Sequence, residues 1–156
     1  MSRPTPLAEL LADAPPVSLG PGKPNAALHR RIESACATLT PACRSGLWLW
    51  FDFLDESHAI SQDLNTAEGS FWHAIMHRRE PDAWNAKYWF RKVGSHPVLD
   101  QLRDRTPEVG YTFAGPADFV DFCERVRGSG SADEEIAKRV QAIEWELLFA
   151  WCLGRR

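Results

Sequence analysis

Apolar residues recur along this chain at helical spacing, and strand-like alternation is almost absent. Leu7, Leu10 and Leu11 line one side of a short first helix, read as Thr5 to Ala14, which Pro15 and Pro16 stop. The stretch from there to Asn25 is rich in Pro and Gly. It reads as an irregular linker draped over the surface, so the first helix is expected to be loosely attached. A second helix is expected from about Ala26 to Thr38, with Leu28, Ile32 and Cys36 at four-residue spacing. Pro41 suits the first turn of a third helix, whose apolar run carries it to about Asn65.

Thr66 to Gly69 reads as a turn and cap, followed by a fourth helix that Pro81 ends. Proline has no N–H to give and disfavours helical geometry in the residue before it. A fifth helix runs to Gly94, a short sixth spans Pro97 to Arg105, and a seventh spans Pro116 to about Arg127. Asp133, Glu134 and Glu135 suit the positive start of a final helix, which runs to about Leu153. Its second half is apolar nearly all round, which places it at the centre. Tyr111-Thr112-Phe113 is the one strand-like patch, and it is too short to make a sheet.

The pattern predicts an all-α, single-domain bundle of six to eight helices with a loosely attached N-terminal segment. Residues 1–25 form that segment and residues 26–156 the helical domain. The third and fourth helices are expected to pair antiparallel, with the final helix against them. At 156 residues, one domain is the natural size. Hydrophobic residues make up 44%, with seven Trp and eight Phe, so the core needs no metal or disulfide to hold it.

Charge narrows the function classes. A net charge of −3 argues against a nucleic-acid partner, which usually meets a basic surplus. No apolar run is long enough to span a bilayer, and the first residues lack the apolar core of a secretory signal. No membrane association and a cytoplasmic location are therefore expected. The four cysteines form no C-x-x-C pair and sit among apolar neighbours, as buried thiols in a reducing compartment do.

The polar residues sort by helical angle. In the third helix Leu47, Trp50, Phe51, Leu54 and His58 share an apolar face. Asp55, His58 and Gln62 form a polar stripe, while Asp52 and Glu56 are expected to point to solvent. In the fourth, Ser70, His73, His77 and Glu80 make a stripe beside the apolar face of Trp72, Ile75 and Met76. Two histidines at i, i+4 can reach one metal ion. The segment HAIMH lacks the glutamate of H-E-x-x-H, so a metalloprotease is a poor match. Asp55, His58, His73 and His77 are the candidate ligands of a divalent ion such as zinc, manganese or iron. The plainer reading is that these histidines are hydrogen-bonded residues at the edge of the core, because such a pair arises easily by chance.

A second set, Arg79, Tyr88, Arg91 and His96, is the candidate binding group for a small polar or anionic ligand. Arg79 falls on the apolar side of its helix and must find a partner, since an unpaired buried charge is very costly. Asp55 and Glu144 are the expected ones. Trp84, Tyr88 and Arg91 share a face of the fifth helix, and rings at that spacing are more often core than pocket. The GSGS at 128–131 lacks the Lys and preceding strand of a phosphate-binding loop, and one strand-like patch excludes a Rossmann fold.

The segment GSFWHAIMHRREPDAWNAKYWFRKVGSHPV resembles one found in a group of uncharacterised bacterial proteins, and that resemblance implies no activity. NAKYWFRKV also resembles the Ala-x-x-Tyr/Trp pattern of tetratricopeptide-like helix pairs, without a repeat at their period. Three functions remain. One is a metal- or small polar-ligand-binding protein, extending to a hydrolase. Another is a non-catalytic interaction module whose polar cluster fixes helix register. The last is an enzyme using His58 or His77 as a metal-free general base.

Overall fold

The computed structural model describes residues 5–12, 14 and 17–154. The stop assigned to Pro15 and Pro16 lies outside the described residues. Among those residues there are nine α-helices, two 3-10 turns and no strand. The helices are α1 (Pro6–Ala12), α2 (His29–Cys36), α3 (Pro41–Trp50), α4 (Leu54–Ser61), α5 (Ala67–Arg79), α6 (Ala83–Val93), α7 (Pro97–Arg105), α8 (Pro116–Val126) and α9 (Ala132–Leu153). The 3-10 turns are Ala26–Leu28, which opens the expected second helix, and Thr106–Val109.

The all-helical class stands, and the count of six to eight is corrected to nine. The expected third helix is two. It ends at Asp52, which holds φ +67°, and restarts after Phe53. Phe53 N–H donates to the Trp48 carbonyl at 3.0 Å and Asp52 N–H to that of Leu49 at 3.1 Å. This double bond closes a helix in the Schellman manner, where glycine is the usual left-handed residue. An Asp in that place gives no stop signal in the sequence. Tyr111 and Phe113, in the patch too short for a sheet, pack their rings on Phe119.

The core is built from rings. Trp72, Phe71 and Phe119 are fully buried. α9 packs against α3, α7 and α8. Trp145 Nε1–H donates to the Gly46 carbonyl at 2.7 Å. A Cβ on Gly46 would lie 2.5 Å from the Trp72 ring, so glycine here lets α3 and α5 close up.

One buried ion pair ties the ends of the chain together. Arg78 donates to Glu144 through two bonds of 2.7 and 3.0 Å, and to Gln141 Oε1 at 3.2 Å. Gln141 Nε2–H then donates to the Ser18 carbonyl at 3.0 Å. Arg127 bridges the Leu19 carbonyl at 3.2 Å and the Arg78 carbonyl at 2.9 Å. The linker is therefore pinned, not draped: Leu19 is buried, and the carbonyls of Ser18 and Leu19 are satisfied by side chains of α9 and of the residue after α8. Hydropathy carries no sign of such long-range polar bonds.

Gly20 shows how close the linker lies. A Cβ there would overlap the Arg79 carbonyl, and its φ is +113°. Gly20→Ala is expected to cost about 3 kcal/mol, combining overpacking with an unfavourable backbone region. Urea unfolding reads this as a lower midpoint at unchanged slope.

Candidate metal centre

Two helices bring three imidazoles together. Thr66 caps α5, its side chain accepting from Gly69 N–H at 3.0 Å, and the chain turns back there from α4. α4 and α5 run antiparallel, so His58 on α4 meets His73 and His77, one turn apart on α5. Ring centroids lie 4.7 Å apart for His58 and His73, 5.6 Å for His58 and His77, and 4.8 Å for His73 and His77. One possible ligand nitrogen from each of the three lies within 4.8 Å of the others. Three nitrogens about 2.0–2.1 Å from a tetrahedral zinc would stand roughly 3.4 Å apart. Side-chain rotations of an ångström-scale reach would close that gap.

Burial sharpens the chemistry. His73 and His77 are buried, and the Nδ1 of each has no hydrogen-bond partner. His77 Nδ1 stands 3.4 Å from Glu80 Oε2, at ion-pair distance but not aligned as a hydrogen bond. Unmade bonds on buried polar atoms are rare because each costs its full desolvation. The plainer reading, histidines satisfied by hydrogen bonds, does not fit His73 Nδ1, whereas His77 Nδ1 has Glu80 beside it. His58 is half-buried, so the cluster has one side toward solvent. Trp89 of α6 covers another, stacked on His73 at 3.8 Å between centroids.

Burial also pushes the His73 pKa down from 6.5 to about 4, helped by His77 and His58. His77 is lowered too, chiefly by burial, against the opposing pull of Glu80. A neutral imidazole is the form that binds metal. For the metal-free protein the sign follows from proton counting. As pH falls from 6.5 toward 4 the unfolded chain protonates its histidine while folded His73 resists. The unfolded state then binds more protons, so stability drops across that window and this loss is complete below it. Melting curves are expected to show the drop, and His73→Gln to make it shallower.

Glu80 and Asp82 extend the centre. His77, Glu80 and Asp82 also place one candidate ligand atom each within 4.8 Å of one another. Asp82 caps α6, accepting from Asn85 N–H at 3.2 Å and Asn85 Nδ2–H at 2.7 Å. Those bonds hold its pKa below the ordinary carboxylate value.

The other expected residues fall elsewhere. Asp55 is exposed and lies outside the three-histidine group, one turn before His58. Arg79 is buried and pairs with Asp52 and with the Leu49 carbonyl at 2.6 Å. Neither Asp55 nor Glu144 is its hydrogen-bonding partner; Glu144 belongs to Arg78. The cause lies at Asp52: a helix continuing through it would face its carboxylate to solvent, whereas the break there turns the carboxylate inward to Arg79. Glu56, also expected in solvent, is half-buried.

His96 caps α7. Its Nδ1 accepts from Val98 N–H at 3.1 Å, which leaves Nε2–H to donate to Glu68 at 3.0 Å. Both nitrogens thus serve the fold. Tyr88 and Arg91 lie on the outer face of α6, the guanidinium 5.9 Å over the ring, with exposed Trp84 stacked on Tyr88. Arg79, Tyr88, Arg91 and His96 therefore stand in three different surroundings. Arg78 and Asp52 were missed by sequence reasoning, and the length of each side chain's reach across the bundle left no local signal.

No helix among the described residues is long and apolar enough to cross a membrane. Comparison of the chain with protein-family models, with curated proteins and with solved structures finds no match.

Proposed function

We propose that this protein binds one divalent transition-metal ion through His58, His73 and His77. The observation that carries the reading is three imidazoles from two antiparallel helices whose ligand atoms lie within 4.8 Å, one of them, His73, with a buried Nδ1 that has no hydrogen-bond partner. An all-imidazole set favours zinc over manganese, which prefers carboxylates. Three protein ligands leave a fourth position for water, the arrangement of catalytic zinc sites. Such an ion would lower the pKa of its bound water to about 7, which extends the reading to a hydrolase. Glu80, whose carboxylate stands 3.4 Å from His77 Nδ1, is the candidate group to take the water's proton. The four cysteines are free and buried, which supports a reducing, cytoplasmic setting.

Calorimetric titration of tag-free protein tests this. One zinc per chain is expected, with weaker binding of manganese, and loss of binding in His73→Ala/His77→Ala. Cobalt or copper is expected to quench tryptophan emission through Trp89, which stacks on His73. If the histidines only fix helix register, no ion binds and the melting temperature does not respond to zinc.

A further inference from the structure

The outer face of α6 has no helix packed on it, and its composition sets it apart. Trp84, Lys87, Tyr88, Arg91 and Lys92 share one side of the helix, at i, i+3, i+4, i+7 and i+8. α6 contains no acid, so this side is aromatic and basic throughout. Trp84 is 72% exposed, more than any other large apolar side chain among the described residues. Its ring lies within 9° of parallel to that of Tyr88, and the two form one flat apolar platform.

The cations of this face lack carboxylates. The Arg91 guanidinium lies 5.9 Å from the Tyr88 ring centre, and Lys92 Nζ lies 5.3 Å from that of Tyr88 and 5.1 Å from that of Trp89. Neither makes an ion pair or a hydrogen bond. Lys87 differs, being held by Asp121 at 2.7 Å. Beside the stripe, a groove of about 410 Å³ lies between α6 and the start of α8. Phe90, Ala114, Pro116 and Ala117 line it with apolar surface, and Arg91 belongs to the same wall. Asp118, the one acid on that wall, pairs with neither free cation.

We propose that this face docks an acidic segment of another protein, one that carries an aromatic or large aliphatic side chain between its carboxylates. Trp, Tyr and Arg are the residues that dominate binding energy at protein interfaces. An apolar side chain set in the groove beside Trp84 and Tyr88 takes ring surface out of water. Carboxylates take the place of water on Arg91 and Lys92, and the guanidinium can grip one through two parallel bonds. Charge selects among the occupants. A second copy docked face to face would bring the same two cations together. A nucleic-acid strand is held by several phosphate contacts and usually by a basic surplus, whereas this chain carries −3. The surface stands independently of the metal reading.

Fluorescence anisotropy of labelled peptides, titrated with the metal-free full chain, tests this. The probes are a glutamate-rich peptide with phenylalanine at intervals, the same peptide with serine for phenylalanine, and a lysine-rich peptide with phenylalanine. The first is expected to bind at least tenfold more tightly than either of the others, with affinity falling as salt rises. Trp84→Ala and Arg91→Glu/Lys92→Glu are each expected to weaken it at least tenfold at unchanged melting temperature, since these side chains are exposed. Arg103→Glu/Arg139→Glu makes the same change of net charge at exposed positions on α7 and α9, and is expected to leave binding as it is. An equal loss from both charge-reversed pairs, equal affinity for the three peptides, or no binding overturns the proposal. Tighter binding of oligouridylate overturns it in favour of a nucleic-acid strand, and a dimer lost in Trp84→Ala overturns it in favour of a second copy. Each of these outcomes leaves the metal reading intact, because no metal is present.

Discussion

Arg78→Met is expected to destabilise the protein by about 3–5 kcal/mol, the cost of breaking a buried ion pair from one side. For a domain of this size that is a fall in melting temperature of roughly 10 °C. Arg78 and Glu144 are each about 1% exposed, so the remaining carboxylate gains no water when the guanidinium goes. Burial alone lowers the Arg78 pKa, and Glu144 more than reverses this, so the guanidinium's pKa is raised. The lost side chain also supports Gln141 and lies 4.7 Å from the Phe119 ring centre. Methionine fills much of the volume, so the loss reports charge more than packing. Adding Glu144→Leu is expected to recover much of it, because an apolar pair in place of a buried ion pair is often neutral. Thermal melts of the two single variants and the double variant close the cycle; additive losses would show that the pair is not coupled.

The second large effect concerns metal. His73→Ala is expected to weaken zinc binding by more than about 100-fold. Removing only a group that orients a ligand costs roughly 10–100-fold, and the proposal makes His73 a ligand itself. His96→Ala is the matched control. It removes another buried histidine, the α7 cap, and is expected to lower stability by about 1 kcal/mol while zinc affinity holds. Competition with a chromophoric chelator measures both. Equal zinc affinity in His73→Ala and the unaltered protein would remove His73 from the site.

Much of the helical frame was legible because it is written locally. Pro41, Pro97 and Pro116 open helices, Gly94 closes one, and the spacing of Leu and Ile marks the inner faces. The pairing of α4 with α5 followed from the turn at Thr66, and with it the meeting of His58, His73 and His77. What was not legible depends on distance or on an unusual residue. Asp52 ends α3 where glycine would have announced the stop. A helix continuing through that residue would turn Asp52 to solvent, so spacing alone hides the partner of Arg79. Arg78 gave no warning either: its partner lies 66 residues away on α9, beyond the reach of any periodicity. The linker's attachment has the same origin, since side chains from α9 and from Arg127 bind its carbonyls.

Stacked against His73, Trp89 gives the centre an aromatic roof that spacing alone could not assign. In the sequence, its spacing reads as core more readily than as pocket. Its plane lies 18° from that of the imidazole, which couples the ring's position to whatever His73 binds.

Zinc-edge X-ray absorption on the stoichiometrically loaded protein reads the centre directly. The account predicts about three imidazole nitrogens near 2.0–2.1 Å with one further light ligand, and one imidazole fewer in His58→Ala. A first shell dominated by carboxylate oxygens or cysteine sulfur, or a spectrum unchanged by His58→Ala, would contradict it.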